Sequence, residues 1–118
     1  MQVLVNTDNH ITNSEDFTNK VIKQIEDGFK KFESHLTRIE VHFHDENSSK
    51  SGPNDKKCSL EIRPEHHDPL AATNHASTLD LALSGAIHKG VRVVGDFLEK
   101  ANSKRAAKIV LEPDEELN

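Results

Sequence analysis

The chain has 118 residues, which fits one domain that buries roughly two-thirds of its unfolded surface. Its single cysteine, Cys58, excludes an intramolecular disulfide and a zinc centre built on a cysteine pair, and suits a reducing compartment. No run approaches the ~20 apolar residues that span a bilayer and no signal peptide is evident, so a cytoplasmic location without membrane contact is expected.

The net charge of −5 argues against a uniformly basic nucleic-acid binder, yet its distribution is uneven. Residues 20–38 carry +2 and 79–108 carry +3, while 1–19, 39–78 and 109–118 are negative. With no Trp or Tyr, the core must come from aliphatic residues and five Phe.

In chain order, Met1 to Asn9 alternates and is rich in Val, which predicts a strand ending between Asn6 and Asn9. Asn13 or Ser14 can cap a helix whose first turn holds Glu15 and Asp16. Phe17, Val21, Ile25, Phe29, Phe32 and Leu36 then recur every three or four residues, so the helix is predicted over Ser14 to His35. Gly28 is a weak point in it, and its missing side chain suggests close packing on the sheet.

Arg38 to His44 alternates strictly, with Ile39, Val41 and Phe43 inward and Glu40, His42 and His44 outward. A Gly-, Pro-, Asn- and Ser-rich loop follows. A third strand is predicted over Lys57 to Arg63, with Cys58, Leu60 and Ile62 inward. Pro64 to Pro69 reads as a turn and Leu70 to Ala76 as a fourth strand.

Ser77 or Thr78 caps a second helix that buries Leu79, Ala82, Leu83, Ala86, Ile87, Val91, Val94, Phe97 and Leu98. Gly85, Gly90 and Gly95 within it point to tight packing. After Lys100 the stripe fades, so residues 1–100 read as the folded domain and 101–118 as a flexible tail with an acidic end. The predicted order is β-α-β-β-β-α, an α+β two-layer domain with a four-stranded antiparallel sheet and both helices on one face.

Two stretches carry a resemblance. Phe29 to Phe43 (FKKFESHLTRIEVHF) is similar to the end of the first helix and the Arg-Ile turn into the second strand of the ribosome hibernation-promoting factors. These proteins are grouped with the ribosome-associated inhibitors, ribosomal subunit interface proteins and sigma-54 modulation proteins. Thr78 to Arg92 (TLDLALSGAIHKGVR) resembles that family's start of the last helix and its Lys-x-x-Arg pair, which falls on Lys89 and Arg92. The likeness covers residues 1–100 apart from a longer loop around Ser48 to Asp55. Val93 and Asp96 interrupt the basic helix, and Thr78 and Asp80 stand where the family tends to have Asp and an aromatic.

The resemblance implies a bacterial short-form member with a fold like the double-stranded-RNA-binding domain. Such a protein binds the small ribosomal subunit through 16S rRNA in the messenger and transfer RNA channel, and inhibits translation under stress. A monomer when free, with no DNA partner and no cofactor, is expected. The candidate RNA-binding residues are Lys20, Lys23, Lys30, Lys31 and Arg38, along or just after the first helix, and Lys89, Arg92, Lys100, Lys104 and Arg105 of the second, with Lys108 beyond them.

The histidines give the alternative: a divergent member acting as a protein- or metal-binding module through a His-rich sheet face. His42 and His44 share a face, and His75 or Glu61 beside them would make a third metal ligand, although exposed strand histidines commonly bind nothing. Acidification would add positive charge there, since the reference pKa of histidine is about 6.5. No nucleophile motif, phosphate loop or paired acid is evident, so a non-catalytic binder is expected.

Overall fold

The computed structural model describes residues 1–8, 11, 14–46 and 55–111, with side chains through Asn102. The elements are β1 (Gln2–Thr7), α1 (Glu15–Gly28), a 3-10 segment (Lys30–His35), β2 (Leu36–Asp45), β3 (Lys56–Pro64), β4 (Leu70–Ala76) and α2 (Leu79–Leu111). The order of strands and helices is the one the sequence predicts. Both helix starts are local chemistry: Ser14 Oγ accepts the Phe17 amide at 3.1 Å, and Thr78 Oγ1 accepts the Leu81 amide at 3.1 Å.

The first helix is shorter than its apolar periodicity predicts. The Phe29 amide donates to the Ile25 carbonyl at 3.0 Å, and from there the Phe32 amide turns to the Phe29 carbonyl at 2.9 Å, opening the 3-10 segment. Both kinds of helix place residues three apart close together, so the Phe29 and Phe32 spacing does not tell them apart. Gly28 also packs elsewhere than expected. A Cβ there would lie 2.6 Å from Ile87 Cγ2 of α2, so the glycine admits the second helix rather than the sheet.

The sheet order is β1-β2-β3-β4. The expectation of an antiparallel sheet fails at one pair, because β1 and β2 are parallel, with Val3 opposite Ile39 and Val5 opposite Val41. The physical reason is the connection: α1 carries the chain back along the sheet, so the next strand starts from the same end. The β2–β3 and β3–β4 pairs are antiparallel.

Inward positions follow the predicted alternation. Ile39, Val41, Phe43, Cys58, Leu60 and Ile62 are no more than 2% exposed, and they pack with Val21, Ile25 and Phe29 of the first helical region and with Ala82, Leu83, Ala86 and Val94 of α2. Close approach fixes two of the glycines in α2. Gly85 leaves room for the Asn74 side chain, whose amide donates to the Leu81 and Ala82 carbonyls at 3.4 and 3.5 Å. Gly90 lies against the Phe29 ring. Gly95 meets only an ordinary contact with Phe32 at 3.6 Å.

Cys58 is fully buried, and burial pushes its thiol up to about 12. In the unfolded chain a thiol ionises near about pH 8.5, so the stability tied to the neutral thiol is complete below that value and is lost as pH rises towards the folded pKa. Urea unfolding should therefore show wild type losing more stability than Cys58→Ala above about pH 9. Parallel pH curves for the two proteins would contradict this.

Candidate nucleic-acid interface

Among the described residues, the predicted cationic side chains do not form one surface. On α1, Lys20 Nζ lies 3.4 Å from Asp80 Oδ2 at the start of α2, and Lys23 Nζ lies 3.8 Å from Asp27 Oδ2 one turn on. Exposed pairs of this kind contribute about 0.2–1 kcal/mol, but both partly neutralise the α1 charge and the first also links the two helices. Lys30 and Lys31 sit on the 3-10 segment, with Lys31 Nζ 5.0 Å from the centroid of the Phe32 ring.

Arg38 is in β2, the strand that its alternation with Ile39 predicts. Its neighbours Leu36 and Ile39 are buried among the core residues, while its guanidinium lies 2.9 Å from Glu40 on the opposite face of the sheet. The sequence places it next to the helix, but strand alternation turns it away from the other cations.

The clearest cationic strip belongs to α2. Positions 89, 92, 96 and 100 recur at spacings of three and four, so Lys89, Arg92 and Lys100 share one side of the helix, interrupted by Asp96. All four are exposed. Among the described residues, neither Arg92 nor Lys100 has an ion-pair partner. Lys89 Nζ donates to the Thr73 carbonyl at 3.1 Å, which satisfies a backbone group on the edge strand β4. The side chains of Lys104, Arg105 and Lys108 lie outside the described residues.

A groove of about 680 Å³ opens where the 3-10 segment, the β3–β4 turn and the later part of α2 meet. Lys31, His35, His66 and His67 line it together with Phe32 and Phe97. His66 adopts the left-handed backbone at φ 61°, and His67 meets the Phe97 ring edge-on at 4.9 Å. The sequence reading missed this groove because its walls come from three segments far apart in the chain.

The predicted metal trio is not assembled. His44 lies 3.8 Å from Asp8 and His75 lies 3.2 Å from Glu46, whereas His42 is grouped with Glu40 and Glu61.

A family model described as sigma 54 modulation protein / S30EA ribosomal protein matches residues 5–102. The chain belongs to this family. Its fold is similar to a ribosomal subunit interface protein from Coxiella burnetii, with a TM-score of 0.67 and 11% identity over 84% of this chain and 99% of that one. It is also similar to the N-terminal domain of Thermus thermophilus Protein Y, with a TM-score of 0.66 and 9% identity over 82% of this chain and 99% of that one. No curated protein matches the sequence. In this S30EA-family chain the match takes in the second half of β1, all of β2, β3 and β4, and the α2 strip through Lys100. At identities this low, the likeness to solved structures establishes the α+β fold, and the residue roles rest on the geometry above.

Proposed function

We propose that the chain is a ribosome-associated translation inhibitor that lays its helices against 16S rRNA of the small subunit, in the channel used by messenger and transfer RNA. The observation that carries this reading is the exposed α2 strip of Lys89, Arg92 and Lys100, on a domain of the S30EA family. Folded rRNA is recognised largely through phosphates and shape, contacts that cations on a rigid helix make without reading base sequence. The negative net charge is compatible with this arrangement. A separated charge distribution turns the basic side of a protein towards a polyanion and the acidic side away.

On this reading the protein is a binder without catalytic activity. It acts in the cytoplasm of bacterial cells under stress, as a monomer until it meets the subunit. The described residues include no helix long and apolar enough to cross a membrane. Co-sedimentation tests the proposal: the untagged protein should travel with small subunits from stationary-phase lysate at low salt and be released as salt rises, as counterion-linked binding requires. Separation from ribosomes already at low salt would overturn it.

A further inference from the structure

The open face of the sheet, opposite the helices, is divided into rows by strand register. Arg38 of β2 stands opposite Arg63 of β3, Glu40 opposite Glu61, and His42 opposite Ser59. Like charges directly opposite one another destabilise a strand pair, and two such pairs are stacked here. Each arginine reaches along its own strand to one carboxylate oxygen. Arg38 Nη2 is 2.9 Å from Glu40 Oε2, and Arg63 Nη2 is 3.2 Å from Glu61 Oε2.

The other oxygen of Glu40, Oε1, faces His42 Nε2 at 3.6 Å, too far for a good hydrogen bond. One ligand atom each from Glu40, His42 and Glu61 lies within 4.8 Å of the others, and all three residues are half-buried. Carboxylate oxygen and imidazole nitrogen bind zinc at about 2.0–2.2 Å, which sets tetrahedral ligand atoms about 3.4 Å apart. The separation of His42 and Glu40 is already close to that. The arginines supply what an outer shell supplies in metal sites: each fixes a ligand carboxylate by one oxygen and leaves the second free.

We propose that Glu40, His42 and Glu61 form a divalent transition-metal site, with zinc the best-matched ion, on the sheet face turned away from the helices. The imidazole favours zinc, copper or nickel over magnesium and calcium, which prefer shells of oxygen. With three protein ligands, water takes the fourth position. The two guanidinium groups repel the ion and make the site weaker than a cysteine-rich zinc centre. The site stands apart from the α2 strip, so it holds or fails independently of ribosome binding.

The test is titration of the untagged full chain with zinc followed calorimetrically, and with cobalt followed by its visible absorption. One ion per chain is expected, with tetrahedral cobalt bands. His42→Ala and Glu61→Gln should abolish uptake while keeping the circular dichroism of wild type, because both positions are outside the core. The paired variants His44→Ala/His75→Ala and His66→Ala/His67→Ala should bind as wild type does. Absence of stoichiometric uptake by wild type, uptake that survives His42→Ala, or uptake lost in the His66→Ala/His67→Ala variant would overturn the proposal.

Discussion

The substitution Gly90→Val is expected to lower the free energy of unfolding by about 3 kcal/mol, the upper part of the range for overpacking a filled core. A Cβ at this position would stand 2.9 Å from Phe29 Cζ, 3.1 Å from Ile62 Cδ1 and 3.3 Å from Leu60 Cδ1. Phe29 and Ile62 are wholly buried and Leu60 is 2% exposed, so none can swing into solvent. Gly90→Ala sets two effects against each other, since alanine improves helix propensity by about 1 kcal/mol while its methyl still meets the ring. Its net cost is therefore smaller. Phe29→Leu alone opens a void, but combined with Gly90→Ala it should recover part of both losses. Urea unfolding of the four proteins in that cycle should give a favourable coupling of about 1 kcal/mol. Strict additivity would mean that α2 does not cross Phe29 at this point.

Charge reversal along α2 should weaken ribosome binding on the order of 100-fold when Lys89→Glu, Arg92→Glu and Lys100→Glu are combined. Each lost phosphate contact should also reduce the salt slope by about one, so the slope itself counts the contacts. Lys23→Glu and Arg38→Gln serve as internal comparisons. Lys23 is already paired with Asp27, and Arg38 lies behind the sheet, so neither should approach the effect of the α2 variant. If Arg38→Gln were as damaging as the triple reversal, the RNA would have to contact the open face, and the proposed orientation would be wrong. Lys89→Glu removes its bond to the Thr73 carbonyl as well, so thermal unfolding of that single variant separates edge-strand stability from affinity.

The readable parts of the fold were those governed by neighbours in sequence. Ser14 and Thr78 bond amides three residues on, and the inward Ile39, Val41 and Phe43 follow from alternation alone. The parallel pairing of β1 was hidden because strand direction depends on where α1 returns the chain. Arg38 was grouped with the helix cations by proximity in sequence, although the same alternation that buried Ile39 already turned it to the other face. The Glu40, His42 and Glu61 cluster needed the pairing of Glu40 with Glu61, which is set by register across the β2–β3 hairpin rather than by local spacing. The α2 strip was legible as Lys89, Arg92 and Lys100, whereas the Lys20–Asp80 contact joins residues sixty apart and was not.

The parallel β1–β2 pair also sets the order in which the domain can assemble. β2, β3 and β4 form a meander of sequence neighbours with α2 directly after them, so their pairing closes short loops. β1 has no such partner nearby, because its register with Arg38 to Phe43 requires α1 to be spanned first. During synthesis β1 is thus the strand of this sheet that waits longest for its mate. Met1, Val3 and Val5 must stay in solution or with a chaperone until some forty residues later β2 emerges, making the amino-terminal strand the segment most open to non-native pairing in the newborn chain.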